Sequence, residues 1–127
     1  MPKRILCLDF DGVIHSYTSG WQGVASIPDP PVPGALAFME QAQADGWEVH
    51  IFSSRSRSLR GRRAMKRWLK HWLDQYTLPL EADDIYCGIR WPWFKPAAVI
   101  TIDDRALTFT GRWPDRAELD AFRPWNK

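Results

Sequence analysis

Two carboxylates stand two residues apart in Asp9-Phe10-Asp11-Gly12, directly behind the apolar run Ile5 to Leu8. Oxygen donors at that spacing suit a divalent cation or acid–base chemistry, and they equally suit a simple acidic turn. A calcium loop is excluded, because Val13 takes the place of a third oxygen ligand and the downstream Glu is missing. A second acidic pair, Asp103-Asp104, follows Val99-Ile100-Thr101-Ile102. Adjacent carboxylates repel unless a positive charge sits between them. Mg2+ takes a few carboxylate or carbonyl oxygens and keeps waters, so Asp9, Asp103 and a backbone carbonyl would compose a site shared with a phosphate. The plainer use of Asp103-Asp104 is a helix N-cap.

Four further residues offer weaker signals. Ser53, in Phe52-Ser53-Ser54-Arg55, presents a hydroxyl and neighbouring backbone N–H groups to phosphate oxygens. Lys95, between Phe94 and Pro96, is a compact point charge for a phosphoryl group, although a lone lysine ordinarily faces solvent. Trp21, near Gly20 and Gly23, suits a substrate-facing aromatic on a loop, whereas Trp91, Trp93 and Phe94 suit core packing better than base stacking. His15 is close enough in sequence to approach the site, yet a lone loop histidine is usually unremarkable.

These residues need a scaffold that gathers them. Arg4 to Phe10 reads as a buried strand, and Trp47 to Phe52 as a second strand with β-branched Val49 and Ile51. Between them, Pro33 opens a helix with Ala35, Leu36, Phe38, Met39 and Ala42 on one face, ended by Gly46. Met65, Trp68, Leu69, Trp72, Leu73 and Tyr76 follow helical spacing. Ile85-Tyr86 and Ala97 to Ile102 are expected strands, Leu107 to Phe109 a further one, and about Asp115 to Phe122 a short helix stopped by Pro124. Residues 15 to 33 carry six Gly or Pro and form a loop, with a short hairpin at most. Alternating strands and helices imply an α/β fold: a three-layer, Rossmann-like open parallel sheet with helices on both faces and ligands beyond the carboxyl ends of the strands.

Length and composition agree with one domain over residues 1 to 127. No run is apolar enough to span a bilayer, and no secretory signal precedes the first strand, so no membrane partner is expected and the setting reads as cytoplasmic. Cys7 and Cys87 read as reduced, packed thiols. The net charge is +2, but residues 55 to 70 hold eight Arg or Lys and no acid, leaving a net of −6 elsewhere. Such a segment attracts polyanions or forms a solvated helix face.

The four motifs DFDG, FSSR, FKP and IDDR, in this order at the ends of α/β segments, resemble those of the haloacid dehalogenase-like hydrolases over most of residues 4 to 110. The resemblance implies a Mg2+-dependent phosphomonoester hydrolase acting through an aspartyl-phosphate. It makes Asp9 the nucleophile and Asp11 the acid and base, with Ser53 and Lys95 holding the phosphoryl oxygens. Asp9, the Asp11 carbonyl and Asp103 would ligate the metal, with Asp104 in an outer role. An aspartate at position 11 favours a phosphatase over a dehalogenase. The intervals between motifs leave no room for a full cap, only a flap loop at about 13 to 33. Ser53-Ser54-Arg55 also resembles the second motif in the phosphatase domain of polynucleotide kinase-phosphatases, which makes a nucleotide or nucleic-acid phosphate a second substrate class. Arg55 and Trp21 are then substrate-binding candidates. A different class of function is a catalytically silent nucleic-acid-binding module.

Overall fold

Apolar side chains at alternate positions of two short segments build the centre of the molecule. In the computed structural model, which describes residues 3–126, β1 (Arg4–Leu8) lies between β2 (Trp47–Ile51) and β3 (Ile100–Ile102). All pairings are parallel: Leu6 stands opposite Val49 and Ile100, and Leu8 opposite Ile51 and Ile102. Paired residues share a face, so these six side chains form one apolar side of the sheet. Leu36, Met39 and Ala42 of α1 (Ala35–Ala44), Met65, Leu69 and Leu73 of α2 (Leu59–Tyr76), and Ala82 and Ile85 of α3 (Pro79–Gly88) join Leu6, Leu8, Val49 and Ile51 in a single buried cluster. The fold is α/β with a small open parallel sheet, as its coarse pattern implies.

The other side of the sheet departs from the expected three layers. It carries buried Cys7, but also Glu48 and His50, which contact each other at 2.8 Å, and Lys3 reaches Glu48 at 3.2 Å. The buried residues of α1, α2 and α3 all belong to the first side, and α4 (Arg116–Ala121) buries none. The cause lies in the connections. Arg90 pairs with His50 on the outer edge of β2, so the steps from β1 to β2 and from β2 to Arg90 run in one direction. Right-handed connections then keep their helices on one face. Only the return to β3 crosses the opposite face, and that segment, residues 91 to 99, is broken by Pro92 and Pro96 and forms no helix.

Three expected strands change accordingly. Ile85 and Tyr86 lie within α3, which Pro79 starts and in which Ala82 and Ile85 bury the same side at i, i+3 spacing. Pairing in β3 begins at Ile100 rather than Ala97, and Leu107 to Phe109 is irregular and exposed. α4 forms where expected, with the Asp115 side chain accepting the Glu118 N–H at 2.9 Å.

Residues 13 to 33 form a loop closed at its base, where Ser16 N–H donates to Pro30 O and Val32 N–H to Ile14 O. Far along the chain, Trp125 Nε1 donates to Gly12 O at 2.7 Å and Asn126 Nδ2 to Ser16 O at 3.4 Å, which ties the C-terminal segment back onto this loop. Cys87 is exposed, not packed as expected, and burial pushes the Cys7 thiol above its ordinary pKa. Among the described residues no helix is long and apolar enough to cross a membrane.

Candidate active site

The sheet register decides which side chains meet. Leu8, Ile51 and Ile102 are level, and Asp9 N–H to Ile102 O and Phe52 N–H to Leu8 O carry the ladder one residue further. Asp9, Ser53 and Asp103 therefore leave the sheet at one edge, its carboxyl end.

Asp9, Asp103 and Asp104 each offer an oxygen, and these oxygens all lie within 4.8 Å of one another. Burial, with further contributions from the neighbouring Asp103 and Asp104 charges, pushes the Asp9 carboxyl up to about 7, against the opposing Phe10 N–H hydrogen bond. The Asp104 side chain is 2% exposed and its Oδ1 is buried without a partner. An orphaned buried oxygen beside two more carboxylates is a donor set for a hard cation. Asp104, expected in an outer role, brings an oxygen as near to the other two carboxylates as they are to each other, within 4.8 Å. Asp103 is the more exposed of the pair and accepts the Arg105 N–H at 2.8 Å.

Gly12 makes this approach possible. Its φ of 85° is left-handed, and a Cβ built there would stand 2.2 Å from Asp104 Oδ2. Gly61 plays a similar part under the turn Ser54–Arg57, where a Cβ would meet Arg55 O at 2.2 Å.

Asp11 belongs to a different set of contacts. His15 Nδ1 lies 2.9 Å from its Oδ1, and Arg55 donates to it through Nε at 3.0 and 3.3 Å and through Nη2 at 3.2 Å. Burial raises its pKa, but the His15 and Arg55 hydrogen bonds outweigh that and hold the carboxyl below its ordinary value. The Arg55 side chain is 0% exposed, and its Nη1 donates to Gly23 O at 2.9 Å and Val24 O at 2.8 Å. Arg55 is therefore not the open substrate-binding cation the sequence suggests: its guanidinium is spent on Asp11 and the flap. Trp21 lies under that guanidinium, with Cζ 4.5 Å from the ring, and remains 53% exposed.

Ser53 is buried, and its Oγ accepts the Arg55 N–H at 3.0 Å while its own N–H donates to Ser56 Oγ. The hydroxyl proton is left for another acceptor. Lys95 is exposed and, among the described residues, makes no hydrogen bond or ion pair; nothing ties it to Asp9. Trp93 and Phe94 are exposed rather than packed in the core, and Arg62 is buried between Trp91 O and the Trp93 ring.

The residue set aside in the sequence is His15, which is fully buried. Its Nε2 accepts the Asp29 backbone N–H at 3.1 Å, and Asp29 is in turn held by Ser19 and by Trp68 Nε1, which donates to Asp29 O at 2.9 Å. The i, i+4 spacing from Asp11 was the available signal; Asp29, between two prolines, gave none. A cavity of about 600 Å3 lies between residues 107–114 and α4 and includes none of Asp9, Asp11, Asp103 and Asp104.

Comparison with known protein families, with curated proteins and with solved structures gave no match to this chain.

Proposed function

We propose that this chain is a Mg2+-dependent phosphomonoester hydrolase of the haloacid dehalogenase-like type, its sheet a capless Rossmann-like core. The reading rests on one observation: Asp9, Asp103 and Asp104 converge within 4.8 Å beyond β1 and β3, with Ser53 leaving the sheet at the same edge.

In this mechanism an Asp9 oxygen attacks phosphorus and the bond from phosphorus to the leaving oxygen breaks. An activated leaving oxygen departs unprotonated, because the His15 and Arg55 contacts hold the Asp11 carboxyl ionised. Water then attacks the aspartyl-phosphate, Asp11 takes its proton, and phosphate leaves Asp9. The Ser53 hydroxyl donates to a phosphoryl oxygen, and Lys95, free of other partners among the described residues, supplies a point charge. Asp9, Asp103 and Asp104, with the Asp11 carbonyl, would hold Mg2+, which neutralises the carboxylates and the phosphoryl oxygens.

Metal binding has a pH signature. The Asp9 carboxyl sits at about 7, so a cation must displace its proton below that value. Chelation should abolish aryl phosphate hydrolysis. The apparent Mg2+ affinity should fall roughly tenfold per pH unit below about 7 and level off above it. Calorimetric titration across this range checks it, and equal affinity at acid and alkaline pH would remove Asp9 from the ligand set.

A second reading, a nucleic-acid phosphate as substrate, is favoured by α2. Arg60, Arg63 and Arg67 are exposed and form no ion pair among the described residues, and Arg63, Lys66 and Arg67 line a groove of about 490 Å3. Reversing the charge of Arg63 and Arg67 should then remove any preference for a phosphorylated oligonucleotide over a mononucleotide, and that preference should weaken steeply with salt. Arg62 is unsuitable for this test because it is buried. Equal rates on both substrates at every salt concentration would leave α2 as a solvated face. Oligonucleotide binding with no turnover of any phosphate would instead favour the silent module.

A further inference from the structure

We propose that His15 is a positioning residue that aims the Asp11 carboxylate at the water which hydrolyses the aspartyl-phosphate. The inference rests on the phosphatase reading above and adds a residue that none of the four motifs contains.

A backbone N–H only donates, so the contact from Asp29 N to His15 Nε2 at 3.1 Å puts the lone pair on Nε2. Nδ1 then carries the proton, and it points at Asp11 Oδ1 from 2.9 Å. The Asp29 carboxylate does not compete, because its Oδ2 is 3.6 Å from Nε2, beyond hydrogen-bond range. Packing fixes the ring itself: it stacks on Phe10 at 5.7 Å and meets the edges of Tyr17 and Trp68 at 5.9 and 5.6 Å. A fully buried ring held on every side is a costly way to make one loop hydrogen bond. Arg55 compensates the Asp11 charge and grips both its oxygens from one side, and His15 engages Oδ1 from a second element, so that together they leave that carboxylate one orientation about its own bonds.

The two chemical steps use Asp11 differently. Transfer from an activated aryl phosphate needs no proton on the leaving oxygen, whereas attack by water always needs a base. Loss of His15 should therefore slow the second step alone. With a 4-nitrophenyl phosphate probe, His15→Ala should lower kcat by roughly 10- to 100-fold and lower KM in proportion. kcat/KM should stay within about threefold of wild type, and a rapid-quench burst of phosphoenzyme should approach one per active site. His15→Asn, which restores an N–H near the Nδ1 position, should recover most of kcat, and His15→Gln should not.

A general loosening of the site would instead lower kcat/KM together with kcat and give no burst; that result overturns the proposal, as does a His15→Ala enzyme with unchanged kcat. Nitrogen-15 NMR of the wild-type imidazole, without metal or substrate, keeps the question open to test if the variants fail to fold. Protonated Nδ1 with unprotonated Nε2 is expected, and the reverse tautomer refutes the geometry. Wild-type protein that hydrolyses no phosphate at all would refute the phosphatase reading itself, a separable outcome.

Discussion

Asp9→Asn is expected to reduce aryl phosphate hydrolysis by roughly 10⁴-fold or more and, in the metal-free protein, to raise stability above about pH 7. An amide is a poor nucleophile with no charge to share with a metal, so a beryllofluoride or aluminium fluoride adduct at position 9 should be lost as well. The gain in stability follows from the burial of Asp9, to which the neighbouring Asp103 and Asp104 charges add. The folded protein holds the Asp9 proton up to about pH 7, while an unfolded chain releases it near 4. Between those values the folded state binds more protons, so metal-free wild type loses stability as pH rises through the interval. Asparagine has no proton to lose, and its advantage should grow over the same interval, reaching the order of a few kcal/mol. Thermal melts of both proteins from pH 4 to 8, with chelator, measure this. Near-wild-type turnover in Asp9→Asn would end the aspartyl-phosphate mechanism, and parallel melting curves would remove the repulsive cluster.

The largest loss of stability should come from Arg55→Ala, about 3–5 kcal/mol. Its guanidinium is fully buried against a carboxylate that is mostly buried too, so truncation strands the Asp11 charge. It also frees Gly23 O and Val24 O and takes the cation off the Trp21 ring. Lysine should not rescue, since one ammonium cannot serve Asp11 and two carbonyls in the directions a planar fork does. Urea unfolding gives the loss, and faster proteolysis between residues 18 and 26 should accompany it as the flap detaches. A loss below about 1 kcal/mol would mean that Asp11 and the flap stand without Arg55.

Elements whose pattern is local were legible in the sequence. β1, β2, α1, α2 and α4 show themselves through alternation, helical spacing and an Asp cap, although α1 starts at Ala35 behind Gly34 and leaves Pro33 outside its first turn, and the clustering of Asp9, Ser53 and Asp103 at one sheet edge follows from strands that run parallel. What was hidden depends on partners far away. Ile85 and Tyr86 have strand-forming side chains, but the surface offered by α2 and α1 makes them helix. The single helical layer comes from the short, proline-broken return to β3, which only the topology reveals. Asp104 comes close to Asp9 because Gly12 has no side chain, a contact across 92 positions. Arg55 and His15 read as surface residues by type. Arg55 is buried because the loop at 13 to 33 folds over it, and His15, within that loop, because α2 brings Trp68 against its ring, long-range events with no local signature.

The loop at Gly12 is finished by residues from the opposite end of the chain: Asp9 N–H bonds to Ile102, Asp104 packs on Gly12, and Trp125 donates to the Gly12 carbonyl. During synthesis Asp9 emerges from the ribosome some ninety residues before Asp103 and Asp104, the carboxylates it meets in the fold. While residues 100 to 126 are still enclosed, the emerging chain has β1 with one edge unpaired and Asp9 with no acidic neighbours. Such a nascent chain exposes an unpaired strand edge. Products of premature termination before Ile100 inherit the same condition, with Asp9 present and Asp103 and Asp104 missing.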